Sequence, residues 1–306
     1  MNCKKEKSKY LPKPDWIKVR LTTNENYNEV AKIAKSRSTF TVCQEASCPN
    51  QHECWAAGTA TFMILGDTCT RACKFCDVKT GNPKGVVDVE EPENIAKSVK
   101  DMRLKYVVLT SVDRDDILDQ GAGHFAKTVK FIKQYNPNIL VETLTPDWRG
   151  DKKLAEVLIN SGVDVAAHNI ETVERLQSQA RDRRASYRQS LKVLQYYKDL
   201  SEKNDIKILT KSSIMIGIGE TDTEITQSFK DLRSVGCDVV TLGQYLQPSK
   251  KHLPVLEYVH PDKFKAWEQE ALALGFTYVA AGPLVRSSYK AGEFYMKNIL
   301  KKRRQA

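Results

Sequence analysis

No stretch of the 306 residues approaches the roughly 18 uninterrupted apolar side chains that a membrane-spanning helix needs, and the mean hydropathy is −0.47. The N-terminal residues lack the apolar core of a signal peptide. They are Lys-rich rather than Arg- and Ser-rich and include Glu6 and Asp15, unlike a transit peptide, so a cytoplasmic location is expected. A basic stripe interleaved with stacking aromatics is also missing, which argues against nucleic acid as a partner. The five histidines offer no ligand spacing. With 41% hydrophobic and 28% charged residues the chain has ordinary globular usage, which excludes a disordered tail, a collagen-like fibre and a coiled coil.

Lysine and arginine number 48 against 38 aspartates and glutamates, and the resulting +10 favours acidic partners by steering. Much of the excess is scattered lysine that serves solubility, and the one dense cluster is the tail from Lys301 to Arg304.

Cysteine is the concentrated element. Six of the eight cysteines lie between positions 43 and 76, and clustered cysteines in a reduced compartment are metal ligands more often than disulfides. Cys3 is a terminal bystander, and Cys237, beside Val239 and Val240, is expected in the core. Cys69, Cys73 and Cys76 form C-x3-C-x2-C, and Cys43, Cys48 and Cys54 form C-x4-C-x5-C. Structural zinc wants four ligands, often as two C-x2-C pairs, and neither triplet supplies them. Three thiolates can instead hold three irons of a [4Fe–4S] cube and leave the fourth open.

After residue 60 an apolar strand, a polar loop and an amphipathic helix recur, often closed by glycine. Leu154, Val157 and Leu158 mark one helix before Gly162; Ile225, Phe229 and Leu232 mark another before Gly236; Phe264, Trp267, Ala271 and Leu274 a third before Gly275. Six strands between 61 and 243 alternate with helices, and a further strand is expected at 277–281. The fold class expected is α/β, a partial (β/α)6 barrel over 61–260 with an N-terminal extension over 1–60 and a C-terminal extension over 261–306. Function collects where such strands end, and those positions are polar: the Cys69 loop, Thr110–Asp116, Glu142, His168-Asn-Ile-Glu171, Gly217–Glu220, Gln244–Gln247 and Arg286-Ser-Ser-Tyr289.

C-x3-C-x2-C with Phe75 before its last cysteine, just after the strand Thr61–Leu65, resembles the radical S-adenosylmethionine (SAM) superfamily. Closer still, the chain resembles the lipoyl synthase family from Lys13-Pro-Asp-Trp16 to Arg286-Ser-Ser-Tyr289, on both cysteine triplets, His168-Asn-Ile-Glu171 and the Arg-Ser-Ser-Tyr motif. The resemblance implies a barrel of radical SAM type and two [4Fe–4S] clusters. Cys69, Cys73 and Cys76 would hold the cluster whose open iron chelates SAM. Cys43, Cys48 and Cys54 would hold an auxiliary cluster with Ser288 as labile fourth ligand, which an alkoxide, harder than thiolate, makes chemically reasonable. The implied reaction inserts sulfur at C6 and C8 of an octanoyl group on a carrier lysine, consuming two SAM and sacrificing the auxiliary cluster as sulfur donor.

Within that frame Arg286 is expected to support Ser288 by a hydrogen bond, and Phe75 to sit near the adenine. Glu142, Asn169, Glu171 and Arg181 are expected at SAM or substrate, with Arg184 pairing carboxylates. Implied partners are octanoylated lipoyl carrier domains (2-oxoacid dehydrogenase subunits and the glycine cleavage H protein), a low-potential electron donor and an iron–sulfur carrier for cluster repair, with no nucleic acid and no membrane. Biotin synthase lacks the Cys43 triplet, tRNA methylthiotransferases need an RNA-binding domain for which no residues remain, and a bare iron–sulfur carrier leaves the polar rim unexplained.

Overall fold

The computed structural model describes residues 11–18, 24–36, 41–45, 48, 50–56 and 59–288. Cys3, Tyr289 and the basic tail lie outside the described residues. Among the described residues seven strands form the main sheet: β1 (Ala60–Ile64), β2 (Tyr106–Ser111), β3 (Leu140–Leu144), β4 (Val165–Ala167), β5 (Leu209–Ile216), β6 (Val239–Gln244) and β7 (Tyr278–Gly282). Each pairs in parallel with the next. Among the described residues no ladder joins β7 back to β1, so the sheet is an open, partial barrel. The strand expected at 277–281 is laid against β6 and extends the sheet to Gly282, past the boundary drawn at 260.

Among the described residues ten α-helices accompany the strands: α1 (Glu25–Ser36), α2 (Val42–Glu45), α3 (Gln51–Ala56), α4 (Glu91–Asp101), α5 (Ala122–Tyr135), α6 (Lys152–Ile159), α7 (Gln177–Ala180), α8 (Tyr187–Lys203), α9 (Asp222–Ser234) and α10 (Pro261–Ala273). Local chemistry starts and stops them. Thr221 and Glu224 make a capping box at α9, which buries Ile225, Phe229 and Leu232. Gly236, at φ 75°, then turns the chain into β6, a conformation that costs other residues a Cβ clash. In α6 the buried stripe is Ala155, Leu158 and Ile159, while Val157 is 41% exposed. The buried face is therefore rotated away from Val157, while Leu154 packs half-buried against the core.

The main core lies between sheet and helices, where β1 is buried on every residue, as a strand covered on both faces should be. Inside the barrel a smaller apolar cluster of Tyr106, Val108, Leu140, Val165, Leu209 and Val239 closes the N-terminal end. Toward the C-terminal ends the inner face turns polar, with the Thr241 hydroxyl donating to Ser213 Oγ at 2.8 Å. The open, polar end is therefore the end to which the cysteine loop belongs.

Candidate functional site

The loop after β1 carries Cys69, Cys73 and Cys76. A two-residue strand, Thr68–Cys69, pairs with Lys79–Thr80 and folds the loop back on itself. Backbone amides face the sulfurs: the Asp113 and Arg71 N–H groups donate to Cys69 Sγ at 3.3 and 3.4 Å, and that of Asp182 to Cys73 Sγ at 3.3 Å. Burial pushes the thiols of Cys69 and Cys73 up to about 12 and that of Cys76 in the same direction. A metal bound here must displace their protons, and the three amides are placed to support the thiolates that result. Among the described residues no three His, Cys, Asp or Glu converge tightly enough for a single metal ion. Three thiols in one loop leave a zinc ion short of its usual fourth protein ligand, whereas a cube can leave one iron open, so this donor set suits a cluster better than zinc.

Under the loop lies a buried arginine, Arg71, 4% exposed. Its Nη1 and Nη2 donate to Asp147 at 2.8 Å each, and Nε and Nη2 donate to Asp115 at 3.0 and 3.1 Å. Arg149 and Arg184 also reach Asp115, at 2.9 and 3.1 Å. Burial opposes the charge on Asp115 and Asp147, yet the Arg71 guanidinium outweighs it and holds both carboxyls below the usual range. At Asp113 the balance reverses, and burial pushes the carboxyl up to about 6 although Arg71 lies 3.4 Å away. Asp182 accepts from the Ala72 amide at 3.0 Å and pairs with Arg184 at 2.8 Å. The expected pairing of Arg184 with carboxylates is thus seen. Asp113 and Asp115 belong to the polar Thr110–Asp116 rim expected from the sequence, whereas Arg71, Asp147 and Asp182 carried no expected role.

His168-Asn-Ile-Glu171 follows β4. Glu171 takes a positive φ of 65° and still bridges to β5, so the strand bulges and turns the side chains around it into the mouth. Asn169 is 8% exposed. Its Nδ2 donates to Glu171 Oε1 at 3.1 Å, while its buried Oδ1 has no partner among the described residues. Such an orphaned acceptor is costly unless a ligand donor meets it. Burial pushes the Glu171 carboxyl up, partly offset by Arg181. The Arg181 guanidinium donates from Nη1 to Ser190 Oγ at 2.7 Å and to Gln177 Oε1 at 3.2 Å. The charges of Asp113, Cys73 and Glu171 all feel that guanidinium. Asn169, Glu171 and Arg181 are thereby brought together beside the cysteine loop. Phe75 is half-buried against the core at the loop's end.

Glu142 requires a correction. It faces the barrel interior, 1% exposed, and its carboxylate accepts from Lys211 Nζ at 2.7 and 2.9 Å and from the Tyr106 hydroxyl. Its register opposite Val108 and Val165 places it just above the closed apolar end, and both its oxygens are occupied. It is thus engaged inside the barrel with Lys211 and Tyr106 rather than standing at the rim.

The second triplet sits outside the sheet edge. Cys43 lies on α2 and Cys54 on α3, both buried, with Cys48 half-buried between them. Thr41 bridges to Phe62 and ties this segment to β1. Burial pushes Cys43 up to about 11 and Cys48 in the same direction, while the Thr61 and Asn50 amides favour the respective thiolates. The indole nitrogen of Trp55 is buried with no oxygen or nitrogen partner among the described residues and also favours the Cys43 thiolate. Three cysteines on one short segment, with N–H donors favouring the thiolates of Cys43 and Cys48, fit an iron–sulfur cluster rather than free thiols. The segment carrying Arg286 and Ser288 meets this triplet. Asn50 Nδ2 donates to the Leu284 carbonyl at 2.6 Å, and the charges of Arg286 and Cys48 feel each other. Arg286 Nη1 donates to the Val285 carbonyl at 2.7 Å, and Ser288 is half-buried.

Residues 63–232 match the family model for the radical SAM superfamily. The chain is 53% identical over 298 residues to a mitochondrial lipoyl synthase of Kluyveromyces lactis, covering 96% of this chain and 80% of that one. It is also 53% identical over 306 residues to a mitochondrial lipoyl synthase of Candida tropicalis, covering 99% and 80%. Among solved structures it resembles methylornithine synthase, with a TM-score of 0.54 at 13% identity over 89% of this chain and 84% of that one. The FeFe-hydrogenase maturase HydG of Carboxydothermus hydrogenoformans gives 0.53 at 12% identity over 89% and 79%. At those identities the two structures support the fold alone. The mitochondrial relatives overturn the cytoplasmic location expected from the sequence and point to mitochondria. That expectation leaned on N-terminal composition alone; the reading of the cysteines as metal ligands survives, because the mitochondrial matrix keeps thiols reduced as well.

Proposed function

The chain belongs to the lipoyl synthase family of radical SAM enzymes, and from that premise we propose how its residues divide the work of inserting two sulfur atoms into an octanoyl group on a carrier lysine. Cys69, Cys73 and Cys76 hold the SAM-chelating [4Fe–4S] cluster, and Cys43, Cys48, Cys54 and Ser288 hold an auxiliary one. When bound, the first supplies the electron that cleaves SAM to a radical, and the second supplies sulfur. Such chemistry is needed because the hydrogens at C6 and C8 are far too weakly acidic for any side-chain base.

The chain's own groups bind and orient. Asn169 Oδ1, the buried acceptor with no partner among the described residues, receives a donor of bound SAM. Arg181 and Glu171 meet charged groups of SAM or substrate, and Phe75 lies near the adenine. The Arg71 network holds the cysteine loop rigid and dry beneath. Arg286 steadies the Ser288 oxygen, a role supported by the mutual effect of its charge and that of Cys48. Octanoylated lipoyl carrier domains of 2-oxoacid dehydrogenases and the glycine cleavage system are the substrates, and the +10 charge assists docking if their surfaces are acidic. A low-potential donor and an iron–sulfur carrier for repair complete the partners.

The observation that carries this reading is the meeting of two sequence-distant motifs, the Cys43 triplet and the Arg286–Ser288 segment, through Asn50. Iron counting tests it. Reconstituted protein should bind about eight irons, and replacing Cys43, Cys48 and Cys54 by alanine should leave about four while SAM cleavage persists. A parent protein holding only about four irons contradicts the second cluster.

A further inference from the structure

Gly243 lies near the end of β6, facing into the barrel. A Cβ there would stand 2.0 Å from the Val285 carbonyl oxygen and 3.0 Å from its carbon, both backbone atoms, with Arg286 Nη1 at 3.4 Å. The 283–288 segment therefore lies against β6 at a distance only glycine permits. On its other side the same segment is gripped by Asn50, whose side chain donates to the Leu284 carbonyl at 2.6 Å. Asn50 is 4% exposed, and its own backbone N–H supports the Cys48 sulfur. One residue thus ties a cysteine of the first triplet to the backbone four residues before Ser288.

We infer that Asn50 and Gly243 are positioning residues that together set Ser288 against Cys43, Cys48 and Cys54. The inference rests on Ser288 being the fourth auxiliary ligand. Gly243 sets how far the segment sinks toward the barrel, and Asn50 sets how close the cysteine loop comes to it. Neither touches iron. Loss of either leaves a three-cysteine cluster whose fourth iron is released more easily.

The test uses the reconstituted holoenzyme saturated with SAM, so that the other cluster's open iron is protected. Ferricyanide oxidation is followed by the EPR signal of the [3Fe–4S] product. Gly243→Ala and Asn50→Asp should each speed its appearance by roughly tenfold or more, matching Ser288→Ala. Gly282→Ala is the matched control, because its Cβ meets only Val285 Cγ2 at an ordinary 3.5 Å, and it should behave as the parent. In metal-free protein the Val285 amide, bonded to the Gly282 carbonyl at 3.0 Å, should exchange faster in Gly243→Ala than in Gly282→Ala. Should Gly243→Ala prove insoluble, Asn50→Asp carries the test alone. Parental rates in Gly243→Ala and Asn50→Asp beside a fast Ser288→Ala overturn the inference and leave the ligand assignment standing. A parental rate in Ser288→Ala overturns both.

Discussion

Arg71 and Asp147 share two parallel hydrogen bonds of 2.8 Å across 76 residues of sequence. The fork is buried on both sides, with side-chain exposures of 3% and 0%, and it fixes the loop bearing Cys69, Cys73 and Cys76 to the end of β3. Lysine cannot reproduce a bidentate contact and reach Asp115 at the same time. Arg71→Lys should therefore lose the SAM-binding cluster to a chelator several times faster than the parent while the auxiliary cluster is retained. Iron release followed by Mössbauer spectroscopy checks this, and equal release from both clusters counts against the role given to Arg71.

The pair inside the barrel makes a different prediction. Lys211 and Glu142 are 2% and 1% exposed, and removing one partner of a buried pair costs about 3–5 kcal/mol. Lys211→Met should destabilise by that order in urea unfolding of metal-free protein. Adding Glu142→Gln should recover much of the loss, since the stranded charge is gone. No recovery in the double variant contradicts a mainly electrostatic cost.

His168 is buried and neutral. Its Nδ1 lies 2.8 Å from the Thr145 carbonyl, which can only accept, so Nδ1 carries the proton and Nε2 accepts from the Ser190 hydroxyl at 2.8 Å. Ser190 Oγ is then free to accept from Arg181. Burial lowers the imidazole from 6.5 to about 4, with Arg181 adding to the effect. The unfolded chain thus binds the extra proton between those values, and stability falls as pH drops from about 6.5 to 4, by about 3 kcal/mol in all. His168→Gln should lose that part of the pH slope in urea titrations at pH 7.5, 6 and 5. A slope identical to the parent's means another group carries the acid sensitivity.

Asn169 gives the binding prediction. Deleting its side chain removes one hydrogen bond to a charged ligand, so Asn169→Ala should raise the SAM dissociation constant roughly tenfold. Equilibrium dialysis on reconstituted protein measures it. Unchanged affinity excludes Asn169 Oδ1 from the SAM contacts.

Much of this fold is written locally. Glycines at 162, 236 and 275 each end a helix with positive φ, and the alternation of strands with helices leads to a parallel barrel. The cysteine triplets are equally legible, because ligand spacing is a property of one short loop. What the sequence hides is register and distance. Glu142 looked like a rim acid, yet it and Lys211 are the single charges in two otherwise uncharged strands, and that pairing was the available signal. Arg71 reaches Asp115 and Asp147 from 44 and 76 residues away, which no spacing rule encodes. Asn50 was hidden for the same reason, since its partner lies 234 residues on.

The most direct test of the assigned activity is anaerobic and follows two products at once. Reconstituted protein receives SAM, a strong reductant and an octanoyl-lysine peptide, and both 5′-deoxyadenosine and peptide mass are measured. The account predicts 5′-deoxyadenosine together with a peptide that has gained two sulfur atoms. Deoxyadenosine with an unchanged peptide, from protein shown to hold both clusters, contradicts it.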